Sequence, residues 1–424
     1  MNGSYEEINR DLLHFIDVSP SVFHVVLHMK TALSYAGFTE IHETDLWKIE
    51  RGGKYVVTRN GSALIAFTVP EEGGTSFKIT AAHCDSPTFK IKENPEIRDG
   101  NYCRLNVEGY GGMIMSTWLD RPLSAAGRVM VRENGRILSK PVSLDKTVLI
   151  IPSLAIHMDR NVNSGHAWNI QKDLLPLYAT ADDKTPFMEL IAKAARVDTE
   201  DILAHDLYLY SRVSGTLWGN RHEFISSPRL DDLQCAFAAF RGFAEGKKEK
   251  SISVYALFDN EEVGSGTAQG AGSTFLFNTL HRLSRSLGYG YDETEAMIAG
   301  SFMISADNAH AVHPNHPEYA DPINAPVLNE GIVLKFSARQ SYSTDGYSAA
   351  VFRDLCKKAD VPVQSFTNRS DMIGGSTLGN ISGTKVAVPT ADIGLPQLSM
   401  HSSYETAGAK DTEYLVKAVS LYYE

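Results

Sequence analysis

The chain has 424 residues, of which 43% are hydrophobic and 21% are charged, and its formal net charge is -11. These values are typical of a soluble globular protein of two or three domains and exclude a disordered chain. The negative charge argues against a protein whose main task is to bind a nucleic-acid backbone. The sequence has no run of about 18 apolar residues, so it predicts no membrane span.

The four cysteines are scattered along the chain and form no C-x-x-C pair. This pattern favours a reducing compartment over a disulfide framework. The N-terminal stretch MNGSYEEINRDLLHF has neither a basic segment nor an apolar core, so no signal peptide is recognisable. On these grounds we expect a cytoplasmic protein.

The chain begins with a helical pattern. Residues 5–38 carry apolar side chains at helical spacing, interrupted at Ser19-Pro20-Ser21, so we expect two helices. Runs of strand-forming residues follow, and Asn60-Gly61 between two of them favours a hairpin. These patterns predict strands at 55–58, 63–69 and 77–82.

From about residue 93 the composition changes, with more Gly, Asn and Arg and a second hairpin signal at Asn134-Gly135. A polar stretch marked by Asp and Pro then continues to about residue 186. We interpret residues 93–222 as a mostly β insertion. Residues 1–92 and 223–424 would then form one discontinuous domain.

Beyond residue 222, strand and helix patterns alternate, which is typical of an open α/β sheet. The predicted fold class is therefore α/β with an inserted, mostly β unit. The predicted helices lie at 233–243, 347–359 and 411–423, and the predicted strands at 252–258, 301–305 and 332–336.

Two adjacent carboxylates, Glu261 and Glu262, follow the strand predicted at 252–258. In open α/β sheets, ligands bind outside the carboxyl ends of the strands. Side chains alternate in direction along extended backbone, so the two glutamates are expected to have different roles. The alternative is that they begin a helix, where carboxylates are favoured.

Other imidazole and carboxylate side chains also follow predicted strands or precede helices. This combination suits zinc, manganese or cobalt. Two metals that share one carboxylate need roughly five ligands, and a carboxylate outside that set can take a proton from water. Asp85 is too near His83 in sequence to be an independent ligand and is expected to orient the imidazole. The set is His83 and Asp85, Asp231, Glu261 and Glu262, Asp307, and His401.

Each member of the set also has an ordinary structural explanation. Asp231 and Asp232 can cap a helix, and His401 can be a hydrogen-bonded loop residue. The histidines within 310–316 have the spacing of a metal cluster, but prolines within 314–317 interrupt a helical register. We therefore favour loop and substrate-side roles for those histidines.

Six phrases of the sequence resemble the aspartyl aminopeptidase family, a branch of the co-catalytic zinc exopeptidases. They occur in the family's order and span almost the whole chain. The resemblance implies a mixed-sheet α/β/α catalytic domain with an inserted domain that mediates dimerisation. The phrases are AAHCDSP (81–87), SPRLDDL (227–233), FDNEEVGS (258–265), SADNAHAVHPN (305–315), SDMIGGSTLG (370–379) and MHSSYE (400–405).

The resemblance implies two divalent metal ions per subunit, with zinc expected and manganese or cobalt as alternatives. His83 and Asp307 would hold one ion, and His401 and Glu262 would hold the other. Asp231 would bridge the two ions.

The resemblance also makes Glu261 the general base and gives Asp85 the task of steadying His83. Asp231 is assigned as the bridge because it directly follows the Pro-Arg-Leu phrase. Asp232 remains the alternative, since many relatives have Asn there.

The predicted reaction is hydrolysis of the first peptide bond of a peptide by a metal-activated water. Glu261 would take the proton and deliver it to the leaving amine. Carboxylates beside the metals would hold the free α-amino group, which explains exopeptidase action. Tyr342 can donate a hydrogen bond to the oxyanion, and its alternative role is that of an ordinary interface aromatic.

The family resemblance implies that an N-terminal Asp or Glu is removed. An acidic side chain needs a buried cation, and Lys335 matches a family position near the substrate, as does His310. The loop that includes Asp371 and Met372 is expected to line the same pocket. Met372-Ile373 differs from many relatives, and a net charge of -11 does not attract acidic peptides. Preference for a neutral residue such as Leu is therefore the alternative.

In the family, the inserted domain forms dimers that assemble into a dodecamer. Residues 151–157 resemble the segment that sends a histidine into the partner's active site, so His157 is expected to stabilise the reaction intermediate there. Taken alone, His157 is an ordinary loop histidine. The other functions considered are a non-catalytic peptide-binding scaffold and an N-deacylase, which would not need a free α-amine.

Overall fold

The chain is described here by a computed structural model of residues 4–248 and 250–424. In the longer helices, apolar side chains at helical spacing are buried against the rest of the protein. Every helix in these residues is too short or too polar to cross a bilayer. The helices are α1 (Ser4–Val18), α2 (Val22–Tyr35), α3 (Ile170–Asp173), α4 (Phe187–Ala195), α5 (Leu230–Glu245), α6 (Phe275–Ser286), α7 (Tyr291–Ala299), α8 (Gly346–Lys358), α9 (Leu378–Gly383) and α10 (Asp411–Tyr422).

The strands form three sheets. They are β1 (Thr39–Glu40), β2 (Lys54–Arg59), β3 (Ala63–Thr68), β4 (Phe77–His83), β5 (Thr88–Asp99), β6 (Tyr102–Tyr110), β7 (Leu123–Glu133), β8 (Arg136–Ser143), β9 (Leu177–Thr180), β10 (Ile202–Ser211), β11 (Thr216–Trp218), β12 (Phe224–Ser227), β13 (Ile252–Phe258), β14 (Phe302–Ala306), β15 (Ala309–His310), β16 (Ile332–Lys335), β17 (Val363–Phe366), β18 (Thr390–Gly394), β19 (Pro396–Leu398) and β20 (Glu405–Gly408).

The main sheet has nine strands in the order β1-β2-β3-β13-β4-β14-β18-β16-β17. At its centre, β13, β4, β14 and β18 are parallel neighbours. All side chains of β13 are buried, which explains its continuous apolar sequence, because a central strand packs against helices on both faces. The parallel strands end at one edge of the sheet, and the residues that follow them meet there.

Helices cover both faces of the main sheet. Tyr255 and Leu257 of β13 lie in a core shared with α1, α2, α5, α8 and α10. Val254 and Ala256 point the other way, into a core shared with α6, α7 and α9. The predicted α/β class with mixed sheets is confirmed, and the layers are helix, sheet and helix.

A second sheet, in the order β8-β7-β10-β5-β6-β9, has its own hydrophobic core. Its strands lie between Thr88 and Ser211. A third sheet, β11-β12-β20-β19-β15, joins residues 216–227 to the C-terminal part of the chain. On this basis we propose an inserted unit of about 88–212, which begins and ends earlier than the 93–222 expected from sequence.

The packing of α5 on α10 gives a test of the fold. Gly242 of α5 faces α10, and a Cβ at this position would lie 2.6 Å from Cβ and Cγ1 of Val419. Replacing Gly by Ala in a helix interior normally gains about 1 kcal/mol, but overpacking costs about 1–3 kcal/mol. We expect Gly242→Ala to lower the free energy of unfolding, measured by urea denaturation.

Gly346→Ala is the matched control, because a Cβ at Gly346 meets no atom within 4 Å. It should leave the free energy of unfolding unchanged or raise it slightly. A Gly242→Ala protein as stable as the Gly346→Ala protein would contradict the close packing of α5 and α10.

Candidate metal centre

The ends of three parallel strands supply most of the site. His83 is the last residue of β4, Asp307 follows β14 directly, and Glu261 and Glu262 stand in a short 3-10 turn just after β13. Because β13, β4 and β14 are parallel neighbours, these side chains meet at one edge of the sheet.

Asp231, in the first turn of α5, lies between two histidines. Its Oδ1 is 3.6 Å from Nε2 of His83, and its Oδ2 is 3.5 Å from Nε2 of His401. His401 comes from the loop after β19. Asp231 is buried, and among the described residues no group donates a hydrogen bond to its Oδ1.

Two further carboxylates complete the arrangement. Asp307 Oδ1 lies 3.8 Å from Nε2 of His83, and Glu262 Oε2 lies 3.3 Å from Nε2 of His401. The result is two groups of ligand-type atoms, each with one histidine and one carboxylate of its own. The two groups have the carboxylate of Asp231 in common.

Asp232 has a different environment from Asp231. Its Oδ2 accepts a hydrogen bond from the backbone N–H of His83, and its Oδ1 accepts one from the backbone N–H of Asn308, both at 3.2 Å. Its side chain therefore ties together the ends of β4 and β14. The peptide bond between Asp231 and Asp232 is cis.

Asp85 lies beneath His83. Nδ1 of His83 is 3.3 Å from Oδ1 of Asp85 and 3.1 Å from its backbone oxygen. The carboxylate also accepts hydrogen bonds from the backbone N–H groups of Glu261 and Glu262, at 3.1 Å each, and from the hydroxyl of Tyr110 at 2.7 Å. One buried carboxylate thus fixes the orientation of an imidazole and the backbone of both glutamates.

Sequence reasoning missed Glu405. Its carboxylate accepts hydrogen bonds from the backbone N–H groups of Asp231, at 3.0 Å, and His401, at 2.7 Å. The available signal was a carboxylate at the end of the phrase MHSSYE. The carbonyl oxygen of Gly112 lies 2.8 Å from Nδ1 of His401. No sequence signal indicates the roles of Gly112 and Tyr110, because their contacts with the site depend on how the inserted sheet packs against the main sheet.

The site carries more negative than positive charge. Burial, reinforced by the Asp307 carboxylate among others, raises the pKa of Glu261 to about 7, although His83 opposes the shift. Burial and the charge of Asp231 raise the pKa of Glu262 well above its usual range. Burial alone would lower the pKa of His401, but Asp231 outweighs it and raises that pKa to about 9. A cation at this position would relieve the repulsion between the carboxylates.

The cluster opens into a cavity of about 320 Å³ that Lys335, Tyr342 and His310 also line. Lys335 is buried, and its Nζ donates a hydrogen bond to the carbonyl oxygen of Asn308 at 2.8 Å. The ammonium group lies 3.6 Å from Oδ2 of Asp307 and 5.5 Å from the centre of the Tyr342 ring. Lys335, Tyr342 and His310 therefore line the same cavity as the cluster, and their roles stay predictions.

Two of the expected substrate-side residues lie elsewhere. Asp371 is on the surface, where it pairs with Arg369 at 2.8 Å. Met372 lines a neighbouring cavity, and of the loop 371–375 only Gly375 reaches the cavity of Lys335. The structure does not bring Asp371 and Met372 to Lys335, because the loop turns outward before Gly375.

His157 is exposed on a loop of the inserted unit, away from the cavity of its own chain. Leu154, Ile156 and Met158 around it are also exposed, by 61%, 47% and 75%. The contribution of His157 to a partner's site stays a prediction.

Comparisons with known proteins agree with this geometry. The family model described as aminopeptidase I zinc metalloprotease (M18) matches residues 15–423. A probable M18 family aminopeptidase 2 of Clostridium novyi (strain NT) is 46% identical over 422 residues, covering 97% of this chain and 98% of the relative.

Solved structures are similar over the whole chain. Ape4, solved by cryo-EM in complex with Nbr1, has a TM-score of 0.97 at 36% identity, covering 100% of this chain and 86% of that chain. The mApe1 dodecamer of S. cerevisiae has a TM-score of 0.87 at 28% identity, covering 98% of this chain and 96% of that chain.

Glu405 offers a test of how the site is held. Glu405→Gln keeps the shape of the side chain but replaces one carboxylate oxygen with an NH₂ group. That group cannot accept a hydrogen bond, so the backbone N–H of either Asp231 or His401 loses its acceptor. We expect zinc affinity to fall about 10–100-fold, as is usual when an outer-shell partner of a ligand is lost. Zinc retained after dialysis against a metal buffer measures the effect.

Glu318→Gln is the control, because Glu318 is exposed and remote from the cluster. It should retain zinc as the unaltered protein does. Equal zinc affinity in the Glu405→Gln and Glu318→Gln proteins would show that Glu405 does not position the ligands.

Proposed function

Since the chain belongs to the aminopeptidase I zinc metalloprotease (M18) family, we propose that it removes the N-terminal residue of peptides and prefers Asp or Glu there. The M18 family is the aspartyl aminopeptidase family, so the resemblance found in the six phrases is confirmed at the family level. The observation that carries the proposal is the pair of histidines on either side of Asp231, in one cavity with Glu261 and Lys335.

The donor atoms fit zinc, which binds imidazole nitrogen and carboxylate oxygen. Within residues 4–248 and 250–424, the buried Oδ1 of Asp231 has no hydrogen-bond partner, and a charged oxygen in that state is costly unless a cation accompanies it. We propose that His83 and Asp307 hold one ion, that His401 and Glu262 hold a second, and that Asp231 is shared. Manganese or cobalt suits the same donors.

Asp231 is preferred to Asp232 as the shared ligand because each of its oxygens faces a different histidine. Both oxygens of Asp232 already accept backbone hydrogen bonds. A carboxylate that accepts such bonds is well suited to position the residues around it rather than to bind an ion itself.

A metal ion held by these residues would supply Lewis-acid chemistry, polarising the substrate carbonyl and lowering the pKa of a water molecule. Glu261 lines the cavity beside the cluster, where it can take the proton of that water and pass it to the leaving amine. The hydrogen bond from its backbone N–H to Asp85 holds it in place. Tyr342, in the same cavity, can donate a hydrogen bond to the oxyanion.

Lys335 supports the preference for an acidic first residue. Its ammonium group has three N–H donors, of which one is used by the carbonyl of Asn308 and one faces Asp307. The third is available to a substrate carboxylate, and a hydrogen bond between two charged groups in a buried cavity is strong. Preference for a neutral residue is the alternative, since Asp307 already balances the charge of Lys335.

We also propose that the chain forms a homo-oligomer, and a dodecamer by analogy with the S. cerevisiae structure. The loop of the inserted unit exposes Leu154, Ile156 and Met158, and adjacent exposed apolar side chains are typical of protein–protein contact sites. His157 lies among them, which fits its expected role in a partner's site.

The neighbouring glutamates make a matched pair for testing the mechanism. Glu261→Gln should lower kcat about 10²–10⁴-fold, as expected for the loss of a general base, and should keep the metal content. Glu262→Gln should lower the metal content first, because Glu262 is a proposed ligand. Peptide hydrolysis and bound zinc are measured on the same preparations.

Loss of zinc from the Glu261→Gln protein, with zinc retained in the Glu262→Gln protein, would reverse the two roles. Full activity of Glu261→Gln would remove Glu261 as the base.

Substrate preference is tested with Asp-, Glu- and Leu-peptides and the variant Lys335→Met, which keeps the length of the side chain but removes the charge. Loss of a hydrogen bond between charged groups costs about 1.5–3 kcal/mol, so kcat/KM for the acidic peptides should fall about 10–100-fold. Hydrolysis of the Leu-peptide should change far less. A chelator should abolish all three activities.

Zinc content serves as the control, because Lys335 also contacts Asp307. A variant that keeps its zinc and loses activity on the Leu- and Asp-peptides equally would exclude Lys335 as the source of acidic preference. Faster cleavage of the Leu-peptide by the unaltered protein would establish the neutral alternative.

A further inference from the structure

A second cavity, of about 340 Å³, lies beside the cavity of the metal centre. The two cavities share His310, Phe366, Gly375 and Met400 in their walls. Each has the volume of a pocket for a small ligand. Because these four residues line both, the cavities are adjacent, and a substrate longer than the first cavity has the second beside it.

The second cavity is chemically unlike the first. Its wall contains no Asp or Glu, whereas the first cavity has four such residues in its wall, Asp231, Glu261, Glu262 and Asp307.

The one guanidinium in the wall of the second cavity, that of Arg369, is already occupied by the carboxylate of Asp371, at 2.8 Å, and by the carbonyl oxygen of Glu318. The wall therefore offers a ligand no carboxylate and no unpaired guanidinium. Its wall includes the apolar and aromatic side chains of Phe366, Tyr319, Met372 and Ile373.

Three of these side chains are exposed to a degree that is unusual for their type. Ile373 is 82% exposed, Tyr319 is 62% exposed and Met372 is 44% exposed. Neighbouring exposed apolar side chains on a concave wall are typical of a binding site. A peptide side chain placed against them would remove their apolar surface from water.

We propose that the second cavity binds the substrate residue that follows the cleaved bond and favours a large apolar or aromatic side chain there. This inference rests on the proposed aminopeptidase function, which places the first residue at the cluster. Met372 and Ile373 then act on the second residue of the substrate and not on the first. Met372-Ile373, the dipeptide that differs from many relatives, therefore does not bear on acidic preference at the first residue.

The experiment uses zinc-loaded protein and four dipeptide amides, Asp-Phe-NH₂, Asp-Leu-NH₂, Asp-Gly-NH₂ and Leu-Leu-NH₂. We expect kcat/KM for Asp-Phe-NH₂ and Asp-Leu-NH₂ to exceed that for Asp-Gly-NH₂ about tenfold, which is the size of effect an apolar pocket gives. Ile373→Ser should reduce this ratio at least threefold, or about 0.7 kcal/mol at 298 K, and leave the ratio of Asp-Leu-NH₂ to Leu-Leu-NH₂ unchanged.

Ile323→Ser is the matched control. Ile323 is 85% exposed, close to the value for Ile373, but it does not line the cavity. It should leave both ratios unchanged.

Equal kcat/KM for the Phe, Leu and Gly amides would overturn the inference and leave the proposed function standing. A change in the Asp-to-Leu ratio at the first position in Ile373→Ser would also overturn it, because the side chain would then serve the first residue. A changed native mass with unchanged ratios would assign the apolar wall to contact between subunits instead. Failure to cleave any amide would overturn the proposed function and this inference together.

Discussion

The site depends on one constraint, which is the burial of the Asp231 carboxylate between two imidazoles. Each oxygen of Asp231 faces a different histidine, and the surrounding hydrogen bonds keep it there. Glu405 holds the backbone of Asp231 and of His401 together, while Asp85 orients His83 from behind. Several buried carboxylates in such a small volume repel one another, and in a folded protein this repulsion is tolerable when a cation is bound among them.

The main sheet makes this concentration of charge possible. Parallel strands end at the same edge, so β4, β13 and β14 deliver His83, Glu262 and Asp307 to one place without any of these residues being near the others in sequence. The central strand β13 is buried on both faces. The burial of its apolar side chains helps to offset the unfavourable energy of placing several charges together. A charged cluster at the rim is thus supported by a core that contributes nothing to the chemistry.

Helices and strands with a clear local pattern are predictable from the sequence. Contacts between segments that are distant in sequence are not, because they depend on how those segments pack together. The strand at 252–258 is predicted to the residue, because its short run of mostly apolar, strand-forming residues contains no Gly or Pro and ends at charged residues. Helix α6 is not among the predicted helices, although its buried apolar side chains have helical spacing. The part played by Tyr110 follows from the position of the inserted sheet, which no local pattern encodes. The position of the loop at Met372 likewise depends on its neighbours, and sequence reasoning assigns to one pocket residues that line two adjacent cavities.

The inserted unit contacts the site through a segment that begins at Tyr110 and includes Gly112, Ile114 and Thr117. Tyr110 holds Asp85, and the carbonyl oxygen of Gly112 holds the ring of His401. This segment links the metal centre to a unit with a hydrophobic core of its own. Substitutions and insertions are best tolerated at the exposed hairpin tip around Asn134-Gly135, which does not line the cavity of the metal centre. An added residue beside Gly112 would displace the carbonyl oxygen that orients the His401 ring. The inserted unit therefore tolerates insertions best in loops that do not contact the metal centre.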